Sequence, residues 1–194
     1  MKIAGIILAA GYSKRMQGHL KPLLKIKRKT FLESIIHKMK KCKINPIFVV
    51  VGYKKDMIIN THSHIKGVKW VYNENFSAGQ FSSLKKGVIE ANKMREIDAI
   101  LMTPVDMPLV KLKTYRKLIK KANTTHLPIV KPFYNYKSGH PIIFNRNLFK
   151  KIIKSPNTAI TRDFFKENFY ICKVNDPFIL KDFDFYKDYI KIFS

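Results

Sequence analysis

Ile3-Ala4-Gly5-Ile6-Ile7-Leu8-Ala9-Ala10-Gly11-Tyr12-Ser13-Lys14-Arg15-Met16 is the stretch on which the fold turns. It opens as an uninterrupted apolar run, the pattern of a strand covered on both faces, and closes in small residues followed by cations. The run is far shorter than the ~20 apolar residues needed to cross a bilayer. The strongly basic segment from Tyr12 to Lys21 follows it, so the expectation is a first buried strand with its loop rather than a secretory leader. Small residues at a strand exit let backbone N–H groups approach a phosphate closely, and Arg15 and Lys21 would offer charge to the same anion. The loop is therefore expected to be a phosphate cradle. It is not a P-loop, because His19 and Leu20 separate Gly18 from Lys21 and no Ser or Thr follows the lysine; nor does it contain G-x-G-x-x-G.

Working outward, short apolar runs alternate with amphipathic stretches. Strands are expected at Ile3 to Ala9, Pro46 to Val51, Val68 to Tyr72, Ala99 to Thr103, Pro128 to Lys131, Pro141 to Phe144 and Tyr170 to Val174. Helices are expected at Phe31 to Lys41, Lys54 to Asn60, Ser82 to Met94, Leu112 to Lys121, Arg146 to Ile153, Ala159 to Lys166 and Phe185 to Ile192. Alternation of this kind predicts an α/β fold of three layers, a mostly parallel sheet with helices on both faces. Right-handed crossovers put the loops after the strands along one sheet edge, where ligands bind. No repeat, low-complexity tract or linker divides residues 1–194, which are expected to form a single domain. Pro132 to His140, between two antiparallel-looking strands, is expected to act as a small lid or acceptor-side flap.

Of the 194 residues, 38 are Lys or Arg against 13 Asp or Glu, a formal net charge of +25. Such a field attracts anions, whether nucleic acid, membrane surface or phosphorylated metabolite. Only six of the basic residues are Arg, the side chain suited to bidentate base and phosphate contacts. The lysines are scattered, and the abundance of Lys, Ile, Asn, Phe and Tyr beside eight Ala fits AT-rich coding, so a nucleic-acid groove is disfavoured. Cys42 and Cys172 are too few for a disulfide framework and lack zinc-site spacing, which points to a reducing cytoplasm.

Further motifs carry chemistry. In Asn73-Glu74-Asn75-Phe76-Ser77-Ala78-Gly79-Gln80-Phe81-Ser82-Ser83, Gly79 permits a tight approach, and Ser82 or Ser83 is expected to open a helix whose amides bind anions or base edges. Read alone, it is equally a helix cap with a glycine. Thr103-Pro104-Val105-Asp106-Met107-Pro108 places a carboxylate at the end of a buried strand, suited to a hard cation that bridges phosphate oxygens. In Ser138-Gly139-His140-Pro141, His140 could donate to an acceptor phosphate while Gly139 and Pro141 set the turn, although a lone His is more often structural.

Leu-Ala-Ala-Gly-x-Ser-x-Arg-Met with a lysine before Pro22-Leu23-Leu24 resembles the opening signature of nucleotidyltransferases of the molybdenum cofactor type, which have the nucleotide-diphospho-sugar transferase fold. The three later segments match that family in order. The resemblance implies transfer of CMP from CTP to the phosphate of a molybdopterin-type acceptor, with release of pyrophosphate. Catalytic roles then fall to Arg15, Lys21 and Asp106. Nucleotide binding falls to Leu8, Ala9, Ala10, Gly11, Ser13, Arg15, Lys21, Gly79, Ser82 and Ser83, and acceptor binding to Gly139, His140 and Pro141. Mg²⁺ is the implied cofactor, on Asp106 and on Asp184 of the closing segment Asp182-Phe183-Asp184-Phe185-Tyr186.

There are two departures from the family pattern. Phe185-Tyr186 stands where the family has Thr-Pro, and the spacing from Met16 to Lys21 is one residue longer. Leu-Ala-Ala-Gly is closer to the cytidylyl branch than to the guanylyl branch. GTP, or a sugar or alditol phosphate acceptor, is the alternative; a basic nucleic-acid-binding module is the non-enzymatic one. A molybdoenzyme receiving the product is compatible with the family, and no membrane partner is expected.

Overall fold

The computed structural model describes residues 1–166 and 168–193. In chain order its elements are β1 (Ile3–Ala9), a small hairpin of β2 (Lys25–Ile26) and β3 (Lys29–Thr30), α1 (Phe31–Lys41), β4 (Ile47–Val51), α2 (Lys55–Thr61), β5 (Val68–Tyr72), α3 (Gln80–Asn92) and β6 (Ala99–Pro104). There follow α4 (Leu112–Ala122), β7 (Ile129–Tyr134), β8 (Lys137–Ser138), β9 (Ile142–Asn145), α5 (Phe149–Lys154), α6 (Thr161–Phe164), β10 (Phe169–Lys173) and α7 (Tyr186–Phe193).

The sheet runs β10-β7-β9-β6-β1-β4-β5, with β8 attached to β7. Along this order only β9 runs against its neighbours, β6 and β7. Every residue of β1 is buried, and alternate side chains feed two cores. Ile3, Ile7 and Ala9 join the core containing α1 and α4, whereas Ala4, Ile6 and Leu8 join the one containing α3 and α5. This is the mostly parallel three-layer sheet that the alternation of periods predicts.

Local chemistry explains the best-defined helix. Thr30 Oγ1 accepts from Glu33 N–H while the Glu33 carboxylate accepts from Thr30 N–H, a reciprocal cap. Phe31, Leu32, Ile35, Ile36 and Met39 then recur at helical spacing on the buried face. Gly5 lets this helix lie close to β1: a Cβ there would stand 2.7 Å from Met39 Sδ.

From β1 the chain crosses to β4 and β5 on one side, then returns to β6 on the other. The carboxyl ends of β1 and β6 therefore flank a topological switch point, where open α/β sheets bind ligands.

The differences from expectation are local. α3 begins two residues early, because Gly79 rather than a serine precedes it. The helix expected over Arg146 to Ile153 divides into a 3₁₀ turn (Arg146–Leu148) and α5, and that over Ala159 to Lys166 contracts to the single turn of α6. Pro132 to His140 is not a free flap: β7 continues to Tyr134, and Asn135 and Tyr136, both at positive φ, turn the chain into β8. Among the described residues no helix is long and apolar enough to cross a membrane.

Candidate active site

The loop after β1 folds back on itself through two tight turns, Met16 N–H to Ser13 C=O at 2.9 Å and His19 N–H to Met16 C=O at 2.9 Å. Ser13, Gln17 and Gly18 take positive φ, and Met16 is wholly buried as the loop's anchor. Ser13 Oγ accepts from Lys21 N–H at 3.1 Å, so the hydroxyl fixes the backbone of the lysine.

Lys21 then reaches across to two carboxylates from distant parts of the chain. Its Nζ is 2.8 Å from Asp106 Oδ2, just beyond β6, and 2.9 Å from Asp184 Oδ1. Arg15 holds the other oxygen of Asp184 at 3.0 Å. Burial alone would depress Lys21, but its contacts with Asp106 and Asp184 outweigh burial and raise it above the ordinary lysine value. Hydrogen bonding from Lys21, opposed by burial, holds Asp184 below the usual carboxylate range. Asp182 is pushed the other way, first by burial and then by the charges of Asp184 and Asp106. Lys21 and Arg15 thus offset two of the three acids gathered here, Asp106, Asp182 and Asp184.

Asp184 sits here although the family's Thr-Pro is replaced. Phe183 N–H donates to Asp106 C=O at 3.1 Å, and Tyr186 N–H donates to Arg15 C=O at 3.2 Å, tying the closing segment to both loops. The Phe183 ring is buried beside Phe31, centroids 5.1 Å apart.

A cavity of about 390 Å³ opens over this cluster. Leu8, Ala9, Ala10, Gly11, Ser13, Arg15, Lys21, Gly79, Ser83, Asp106 and Asp184 all line it, so most of the expected nucleotide residues converge on one space. Gly79, at φ 106° and ψ −175°, is in a region essentially closed to other residues, and no atom would meet a Cβ there within 4 Å. Ser82 is a correction: it is buried away from the cavity, its hydroxyl donating to the carbonyls of Asn75 and Gly79 and accepting from Asn73. It shapes the turn that carries Gly79 instead of facing a ligand.

A second cavity of about 810 Å³ shares Gly79 and Gln80 with the first, and Gly139 and His140 line it. Pro141 does not; it is buried behind the wall, at the start of β9. Gly139 is pressed against the Ile179 carbonyl with no room for a side chain. Burial pushes His140 down to about 4, so its imidazole is neutral near pH 7 and can donate only through one nitrogen.

The pair Asp106 and Asp184 suits a hard cation. Their oxygens already converge on one ammonium, and among the described residues no cluster of three or more His, Cys, Asp or Glu competes as a metal site. Two carboxylates leave most of the shell to phosphate oxygens and water, as Mg²⁺ or Mn²⁺ prefers.

Several lining residues are not among those expected from the sequence. Tyr12 and Phe76, ring centroids 5.1 Å apart, and Gln80 line the first cavity, and Asp182 and Lys131 the second. Asp182 could have been found as the companion of Asp184 two residues on. Lys131, in an otherwise apolar strand, could not.

Comparisons with known proteins identify the family and the fold. A family model described as MobA-like NTP transferase domain matches residues 5–170. The bifunctional protein GlmU of Acholeplasma laidlawii is 26% identical over 179 residues, which cover 82% of this chain but 37% of that protein; the chain thus spans little more than a third of this curated relative. Rv0371c from Mycobacterium tuberculosis superposes with a TM-score of 0.83 at 23% identity, over 100% of this chain and 97% of that one. A nucleotidyl transferase from Methanothermobacter thermautotroptrophicus gives 0.80 at 20% identity, over 98% and 95%. A manganese complex of the mycobacterial protein gives 0.75 at 19% identity, over 100% and 98%. These likenesses show a shared fold.

Proposed function

The chain belongs to the family of MobA-like NTP transferase domains, and on that premise we propose that residues 1–194 act as one nucleotidyltransferase unit. It moves a nucleoside monophosphate from an NTP to the phosphate of a small acceptor and releases pyrophosphate. The observation that carries the reading is the meeting of Arg15, Lys21, Asp106 and Asp184 beneath a cavity floored by the small-residue loop after β1. The finer reading, from the resemblance of Leu8-Ala9-Ala10-Gly11 and Asp106-Met107-Pro108 to the cytidylyl branch, is CTP as donor and a molybdopterin-type acceptor. The setting is cytoplasmic, with a molybdoenzyme as recipient of the product.

In this mechanism the backbone amides of the loop around Gly11 bind the triphosphate, and Gly79 lets α3 come close to the nucleotide. Arg15 and Lys21 take up the charge that develops on the departing pyrophosphate. Held by Asp106 and Asp184, Mg²⁺ would neutralise and orient the α-phosphate. The acceptor phosphate forms the new bond to the α-phosphorus as the bond to the β-phosphate oxygen breaks. An acceptor phosphate has a second pKa of about 6, so it is already ionised at neutral pH and needs no general base. In keeping with that, neither His nor Cys is among the described residues lining the first cavity. Catalysis then rests on positioning and charge rather than on a covalent intermediate.

A panel of NTPs against several phosphorylated acceptors with Mg²⁺, read by pyrophosphate release, tests the reading. Turnover with CTP and a molybdopterin-type acceptor is expected. Turnover with another pair keeps the transferase and replaces its substrates, and no release with any pair overturns it.

A further inference from the structure

Lys131 is an anomaly in its own strand. Its neighbours Ile129, Val130 and Pro132 are buried, and Lys131 itself is only 8% exposed. A buried ammonium is costly unless it is paired, and a Met or Leu would fit such a strand at lower cost. No carboxylate lies within 4 Å of Lys131 among the described residues. Its Nζ donates to the Phe165 carbonyl and stands 4.2 Å from the centroid of the Phe169 ring, which leaves N–H groups without an anion. Burial accordingly lowers its affinity for the proton. On the same cavity lies His140, whose Nδ1 is buried without a hydrogen-bond partner. His140 Nδ1 thus lacks a partner, and Lys131 lacks an anion, beside a cavity that joins the nucleotide site at Gly79 and Gln80.

We propose that Lys131 and His140 form a receptor for a second anionic group on the acceptor, a carboxylate or another oxyanion distinct from the phosphate that attacks the nucleotide. The inference rests on the transferase reading for the name "acceptor", but the receptor is a property of the cavity alone. The rest of the wall is mixed in charge: Lys166 is paired with Asp163, and Arg162 faces a lining that also holds Asp182, so Lys131 is the buried cation there without a carboxylate partner among the described residues. Met107, Ile142 and Ile179 supply apolar surface, so the preferred ligand has a charged end on an apolar or ring-shaped body. The Lys131 ammonium would gain the charge partner that the fold withholds, and His140 would donate as a neutral imidazole.

Matched ligands that differ only in a carboxylate test this: glycerate 3-phosphate against glycerol 3-phosphate, erythronate 4-phosphate against erythritol 4-phosphate, and gluconate 6-phosphate against glucitol 6-phosphate. Affinities are measured calorimetrically on the full chain, without nucleotide. In at least one pair the acid is expected to bind at least tenfold more tightly than the alcohol. In Lys131→Gln, which still has a donor for the Phe165 carbonyl, that ratio is expected to fall below about twofold. Ratios near one in all three pairs, or a ratio that K131Q leaves intact, overturn the proposal. The wild-type ratio decides the matter by itself should the variant not fold. Separate titration with CTP and Mg²⁺ keeps the two readings apart: no nucleotide binding would sink the transferase reading, whereas only the acid-to-alcohol ratio bears on the receptor.

Discussion

Lys21 Nζ and Asp106 Oδ2 lie 2.8 Å apart although 85 positions separate them in the chain, and the same ammonium holds Asp184 at 2.9 Å. A lysine thus stands between the two carboxylates expected to hold the metal. The site is electrostatically complete before any ligand arrives, and a divalent cation must displace the ammonium to bind.

Replacing Lys21 with Met should therefore have opposite effects on two ligands. Affinity for Mn²⁺ in the absence of nucleotide should rise, because the internal competitor is gone, while turnover should fall at least ~100-fold through loss of charge on the leaving pyrophosphate. In chelator the two carboxylates are left facing each other at a cost on the order of 1–2 kcal/mol, which Mn²⁺ should restore. Thermal unfolding with and without Mn²⁺ measures this; a midpoint insensitive to the metal would count against the placement.

Asp106→Ala should abolish pyrophosphate release, by at least ~100-fold, with the circular dichroism spectrum unchanged. Full activity in this variant would falsify the metal-binding role.

Gly79→Ala forces a Cβ into a backbone conformation costing about 1–3 kcal/mol. No neighbouring atom obstructs the methyl itself, so the penalty is conformational. A lowered unfolding midpoint with a raised KM for NTP is expected; a midpoint equal to wild type would mean that the loop relaxes without strain.

His140 gives the fold a pH dependence whose sign can be stated. Its folded value of about 4 lies below the ordinary value of 6.5, so between them the unfolded chain binds a proton that the folded chain does not. Stability is fully present above pH 6.5 and falls as the pH drops toward 4, by at most about 3 kcal/mol from this group. His140→Asn should flatten the stability profile across that window, measured by denaturant titration at pH 7 and pH 5.

How much of this was legible depended on how locally each feature is encoded. The bounds of β1 and α1 follow from sequence, because a buried strand reads as an apolar run and Thr30 with Glu33 writes its own cap, while the half-exposed β5 is marked by its β-branched and aromatic residues Val68, Trp70, Val71 and Tyr72. β2, β3 and β8 are two residues each, too short to show a period. The start of α3 was misplaced because Gly79 caps it without a side-chain hydrogen bond. Most of the first cavity was legible because its residues cluster in motifs after strands. The second cavity was not, since Lys131, Arg162 and Asp182 come together only through strand pairing and loop return. Ser82 and Ser83 show the limit of motif reading: adjacent and chemically identical, one lines the ligand space and its neighbour buttresses the turn.

The tether from Phe183 to Asp106 has a consequence for proteolysis. Every strand of the sheet, the cradle and the first carboxylate precede it in the chain, so a cut just ahead of Asp182 would remove in one stroke the second carboxylate and the Phe183 ring that is buried against Phe31.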